Sequence, residues 1–147
     1  MARLLIDGYN LGLRKGTGVA TYGRNLCREA SAVGHEVWAL YGQRFGDSGN
    51  PLLREIAFFD QVEKQPHAVP RALRTIQQAV SGPLGHSPQE VRLSGSVISR
   101  PFEARLPQCS RVYNGMSLYS ASAASFALWG QLAKVRMPER PDLAHWT

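Results

Sequence analysis

The sequence predicts an α/β fold, an open parallel β-sheet with helices on its faces. Three observations point there. A short apolar run, Leu4-Leu5-Ile6, ends in Asp7-Gly8-Tyr9-Asn10. A glycine-containing loop, Gly16-Thr17-Gly18, then opens into a helical pattern. A second apolar run, Val37-Trp38-Ala39-Leu40-Tyr41, follows Gly34-His35-Glu36. Strand, loop, helix and strand in that order make a β-α-β unit, whose two strands run parallel.

Each element has its own signal. Residues 3–7 predict the first strand, because a buried parallel strand is a short, nearly continuous apolar run. Residues 19–33 predict a helix in which Val19, Tyr22, Leu26, Ala30 and Val33 recur every three or four positions as one apolar stripe. That stripe assigns Tyr22 to the core. Gly34 stands where a glycine ends a helix, and residues 35–41 are the second strand, closed by Gly42. Residues 43–53 predict a loop, and Ile56-Ala57-Phe58-Phe59 a third strand. Residues 69–80 predict a helix with Val69, Leu73, Ile76 and Val80 on one face, and residues 81–96 an irregular stretch. Val97-Ile98 is too short to assign. Arg111-Val112-Tyr113-Asn114 predicts another strand or an extended segment. Residues 118–135 predict a helix that is apolar on most sides, so that Phe126, Leu128, Trp129 and Leu132 are expected to be buried. Pro138 and Pro141 break it, and residues 142–147 begin a last strand. In an open α/β sheet such a strand returns beside the first. It would then form a bare edge, which leads to the expectation that the chain is the front part of a longer protein.

Composition narrows the function classes. The 147 residues suit one domain, or part of a larger one. The net charge is +6, but the 17 basic residues are spread through the chain with no long Lys/Arg block, which reads as a solvated surface, with a nucleic-acid or anionic-membrane surface as the alternative. Cys27 and Cys109 lie far apart and fit no metal-ligand spacing. Cys27 falls on the apolar side of its helix and is expected to be a buried thiol in a reducing, cytoplasmic setting. There is no signal-peptide pattern, and no apolar stretch is long enough to span a bilayer.

The chemistry concentrates after the first strand. Glycines allow close backbone approach, and a helix start offers unpaired N–H groups and a partial positive charge, which together favour phosphate or another anion. Gly16, Thr17 and Gly18 are therefore candidate phosphate-binding residues, with Arg14 and Lys15 at the rim. Asp7 ends the first strand, at the edge where open α/β sheets bind ligands; its alternative role is a turn carboxylate that caps nearby N–H groups. Tyr9 and Asn10 sit beside it. His145 ends the last strand on the same edge, where it either lines the cleft or packs. His35, at the opposite edge, Trp38 and Trp129 read as structural.

Several segments together resemble a known family. Asp7-Gly8-Tyr9-Asn10-Leu11, Gly16-Thr17-Gly18, Tyr22-Gly23-Arg24-Asn25-Leu26, Gly34-His35-Glu36-Val37 and Pro141-Asp142-Leu143-Ala144-His145-Trp146-Thr147 resemble the N-terminal domain of GT-B glycosyltransferases of the retaining family-4 group. The likeness is strongest over residues 3–42 and 141–147. It implies a Rossmann-like domain on the acceptor side of a cleft, with a separate C-terminal domain binding the nucleotide-sugar donor. It implies transfer of a sugar to a saccharide or lipid-linked acceptor without a metal or other cofactor. It also implies a cytoplasmic location with peripheral association at the inner face of the membrane, and no nucleic-acid partner. The downstream histidine motif, the paired glutamates and the donor domain of that family are missing from these residues. The resemblance therefore implies that this chain alone is inactive and that the catalytic residues lie outside it.

Two other readings compete. Leu5-Ile6-Asp7-Gly8-Tyr9-Asn10 also looks like the opening of PIN/NYN-like ribonucleases, whose two-metal chemistry needs carboxylates clustered at strand ends. The second strand ends Ala39-Leu40-Tyr41-Gly42 instead. A dinucleotide-dependent oxidoreductase would need a G-x-G-x-x-G spacing, which Gly16-Thr17-Gly18 does not continue. A non-catalytic binding remnant is the alternative that is not an enzyme.

Overall fold

The computed structural model describes residues 1–13, 18–44, 49–60, 85–94 and 106–146. It is an α/β fold with five strands and three helices among them. In chain order these are β1 (Arg3–Asp7), α1 (Gly18–Ala32), β2 (Glu36–Tyr41), α2 (Pro51–Asp60), β3 (Gln89–Val91), β4 (Arg111–Asn114), α3 (Leu118–Trp129) and β5 (Leu143–His145). The sheet order is β3-β4-β2-β1-β5. Strands β4, β2, β1 and β5 are parallel, and β3 pairs antiparallel with β4, so the sheet is mixed rather than purely parallel. As expected, β5 lies beside β1, with Ile6 opposite His145.

Alternation sorts the core into two layers. Ile6, Val37, Ala39, Tyr41 and Val112 pack on the face covered by α1 and α2. Leu5, Trp38, Leu40 and Tyr113 pack on the other face with Leu118 of α3 and with Val135 and Met137. At the N-terminal edge, the fully buried Trp38 ring lies between the guanidinium groups of Arg3 (5.9 Å) and Arg111 (5.5 Å). Asp142 binds the Arg3 N–H at 2.8 Å, and Asp142 N–H in turn donates to the Arg3 carbonyl at 2.8 Å, clipping β5 to β1.

Four expectations are corrected. Residues 56–59 are helical, in α2, not a strand. Asn50 caps this helix, its Oδ1 accepting the Leu52 N–H at 2.9 Å, and Pro51 takes the first helical position. The same Asn-Pro pair also signals a loop. The stretch 81–96 contains β3. In α1 the buried face is Ala20, Gly23, Cys27 and Ala30, whereas Val19, Tyr22 and Val33 are exposed. Small residues let the helix lie close to the sheet; Leu11 fills the notch at Gly23, where an added Cβ would stand 3.3 Å from its Cδ2. Tyr22 is therefore not core. Finally, α3 stops at Trp129, because Gly130 takes a left-handed φ of 62° and donates its N–H to the Phe126 carbonyl at 2.9 Å. Phe126, Leu128, Trp129 and Leu132 are all more than half exposed, so Trp129 is not core either. The helix expected at 69–80 and Val97-Ile98 lie outside the described residues.

Trp38 and Cys27 are buried as expected, and burial pushes the Cys27 thiol up to about 11. His35 is structural, its Nδ1 accepting the Ala2 N–H at 3.3 Å. No helix among the described residues is long and apolar enough to cross a membrane.

Candidate functional site

Because β1, β2, β4 and β5 are parallel, their C-terminal ends share one edge. The strand order reverses between β1 and β5, the position at which open α/β sheets leave a crevice. Residues 8–13 form a compact turn there. Gly8 N–H donates to the Leu40 carbonyl at 2.7 Å, and Gly12 N–H to the Gly8 carbonyl at 3.0 Å. Leu11 is buried and anchors the turn from below. The approach of Gly8 to β2 is so close that an added Cβ would stand 2.6 Å from the Leu40 oxygen. Only glycine fits.

Asp7 is almost fully buried at this turn. Its Oδ1 accepts the Tyr9 N–H at 3.0 Å and the hydroxyl proton of Tyr119, from α3, in a short hydrogen bond. The Tyr119 oxygen also lies 2.7 Å from the Leu40 carbonyl. Burial first, and then the Asp7 charge, hold the Tyr119 phenol well above the ordinary tyrosine range, so it remains a donor. The Tyr119 ring stands edge-on to Tyr9, with centroids 5.1 Å apart. Gly42 makes room for it, since a Cβ there would overlap the Tyr119 ring. Asp7 thus does act as a turn carboxylate. Tyr9 is half exposed and Asn10 half buried.

The remaining candidates fall elsewhere. Gly18 is the first residue of α1, and an added Cβ there would meet only open space. Gly16 and Thr17, like Arg14 and Lys15, lie outside the described residues. His145 pairs with Ile6 and so points to the α1 face, where its ring lies 5.8 Å from that of Tyr22. Asp7, one residue after Ile6, points to the α3 face. The structure therefore brings Asp7 and Tyr9 together with Tyr119, and puts His145 with Tyr22 across the sheet from them.

Sequence reasoning missed Tyr119 and Gly42. Their contact joins residues more than seventy positions apart, and its only local trace is a glycine directly after β2. Among the described residues no three His, Cys, Asp or Glu side chains converge as a metal site would require. No protein-family model, curated protein or solved structure matches this chain.

Proposed function

We propose that this chain is the Rossmann-like, acceptor-side domain of a GT-B glycosyltransferase. In this reading it helps transfer a sugar from a nucleotide-sugar to a saccharide or lipid-linked acceptor at the cytoplasmic face of a membrane. The observation that carries the reading is the topology. The parallel strands lie in the order third, second, first, fourth, and the turn of residues 8–13 after β1, with Gly8 and Gly12, falls at the point of reversal. Nucleotide-binding α/β folds place diphosphates at such a point, on a helix start.

In this reading Gly18, at the start of α1, and Gly16 and Thr17 just before it in sequence offer backbone N–H groups and a hydroxyl to the charge that grows on the departing phosphate, a stabilisation that needs pre-aimed donors rather than a metal. Tyr9 offers a half-exposed ring and Asn10 an amide to the acceptor, while Asp7 and Tyr119 act as positioning residues that fix the turn. His145 lines the α1 side of the crevice. The donor's sugar and base are held by a separate C-terminal domain, so the test for this chain is one of binding.

Saturation-transfer NMR of the chain against UDP-glucose, GDP-mannose and a panel of oligosaccharides reads it directly. Saturable signals are expected. Gly18→Leu, whose side chain enters open space and leaves the core untouched, should weaken the nucleotide signal at least fivefold. If no nucleotide or saccharide signal appears, or if Gly18→Leu leaves it unchanged, the reading fails. Mn²⁺-dependent RNA cleavage abolished by Asp7→Asn would replace it with the ribonuclease reading.

A further inference from the structure

The two halves of α3 sit in different surroundings. Its first half is held against the sheet by the buried residues Leu118, Ala121 and Ser125. Its last turn is not. Phe126-Ala127-Leu128-Trp129 is an unbroken apolar run as long as one helical turn, so it covers every side of the helix there, and all four residues are exposed. Leu132, just beyond, is exposed as well. The end of α3 therefore stands clear of the body as an apolar tip, and a folded chain rarely leaves such a patch in water unless something covers it.

The tip is braced from behind. Gly130 turns the chain back, its N–H on the Phe126 carbonyl, and the hydroxyl of the buried Ser125 donates to the Gln131 carbonyl at 3.1 Å. The returning chain then alternates. Val135 and Met137 pack inward on the cluster of Leu5, Trp38, Leu40, Tyr113 and Leu118, while Leu132, Lys134 and Arg136 are exposed. The apolar tip is thus followed directly by two outward cations. The sequence has no Asp or Glu between Glu103 and Glu139. Glu139 itself is engaged, its Oε1 accepting from Arg111 at 2.6 Å.

Shape and charge select the partner. A convex tip on a helix with no charged side chain suits a medium that closes around it, and Trp and Phe favour the interfacial depth of a bilayer. Cations beside the tip favour anionic headgroups, in line with the net charge of +6. A two-fold pair of tips would instead gather the like charges of both copies in one place. With 12 residues, α3 is shorter than the roughly 20 needed to span a bilayer, so the tip enters without crossing.

We propose that Phe126, Leu128, Trp129 and Leu132 insert into the headgroup region of an anionic membrane, with Lys134 and Arg136 on the lipid phosphates. The proposal shares with the function proposed above only the location at a membrane; its grounds are the shape and charge of the α3 tip.

Co-sedimentation of the whole chain with vesicles tests it, using phosphatidylcholine with or without roughly one-third phosphatidylglycerol. The chain should pellet with the anionic vesicles far more than with the neutral ones, and less as salt is raised. Tryptophan emission should shift to the blue on binding, and Trp129→Phe should remove most of that shift. Phe126→Ser with Trp129→Ser, two exposed positions, should weaken binding by about tenfold or more; Lys134→Gln with Arg136→Gln should do so by about tenfold on anionic vesicles alone. Absence of binding to the anionic vesicles, equal binding to both compositions, or binding unchanged in either double variant would overturn the proposal. So would a dimer in sedimentation velocity that the serine variant dissociates, since the tip would then be a contact between copies. Neither double variant should alter the saturation-transfer signals of nucleotides, so this proposal and the proposed function can fail separately.

Discussion

Two neighbourhoods share the C-terminal edge of the sheet and use their polar atoms in opposite ways. At the end of β1, Asp7, Tyr9, Tyr119 and the Leu40 carbonyl satisfy one another within a few ångströms. Beyond β3 and β4, a cleft of about 260 Å³ lined by His86, Ser87, Gln89 and Asn114 leaves the solvent-shielded His86 Nε2 without a hydrogen-bond partner among the described residues. The first arrangement is closed and has little to gain from a ligand; what it can do is hold a surface in place. The second is open and leaves a shielded nitrogen unsatisfied. A buried carboxylate at a strand end is therefore weaker evidence of ligand contact than an unsatisfied donor in a cavity wall.

The comparison can be broken at its closed end. Gly8→Ala forces a Cβ against a backbone oxygen that has no slack, and should cost about 3 kcal/mol of stability by denaturant unfolding. A loss under 1 kcal/mol would show that the turn can move away from β2. Tyr119→Phe keeps the ring beside Tyr9 but leaves the buried Asp7 carboxylate short of a donor. A loss of about 1–3 kcal/mol is expected, read by the same measurement. A neutral result would mean that water reaches Asp7 and that the cluster is not closed.

The open end is sharpened by pH. The folded state lowers the pKa of His86, so the unfolded chain binds a proton first as the pH falls. The stability contributed by the neutral imidazole is complete above the ordinary histidine value of about 6.5 and is lost as the pH drops through it toward the lower folded value. Thermal unfolding followed from pH 8 to pH 3 should show a decline between pH 7 and pH 5 that His86→Gln reduces. Asp142 works in a separate window. The Arg3 N–H and then the Arg3 side chain lower its pKa, so its contribution is present above the ordinary value of 3.8 and is lost as the pH falls from there through the lower folded value. A single decline centred near pH 4, unchanged in His86→Gln, would show that the cleft histidine is already solvated.

Much of the fold was legible from residue order, for a physical reason. β1 and β2 are buried parallel strands, and such strands read as nearly unbroken apolar runs, whereas β4 showed only Val112-Tyr113 between two polar residues. β5 was legible through its connection to β1 rather than through its own composition. α2 was not legible, because Ile56-Ala57-Phe58-Phe59 fits a buried strand as well as a buried helix. The burial of α1 and α3 was misjudged because side-chain hydrophobicity was taken as the guide. The sheet instead selects the small residues Ala20, Gly23, Cys27 and Ala30 of α1, while α3 buries Leu118, Ala121 and Ser125 and leaves Phe126, Leu128 and Trp129 on its exposed side. Of the candidate site, Asp7 and its turn could be located, while Tyr119 and the His86 cleft depend on contacts between distant segments that no local pattern encodes.

The Asp7 carboxylate has a consequence of its own. Its Oδ1 accepts both the Tyr9 N–H, at 3.0 Å, and the Tyr119 hydroxyl proton. The turn after β1 and the first turn of α3 therefore share a single acceptor, and neither can shift without changing the other's hydrogen bond. Linkage makes that relation reciprocal: a ligand that draws Tyr9 toward itself alters the docking of α3 by the same free energy by which the docking of α3 alters the ligand's affinity.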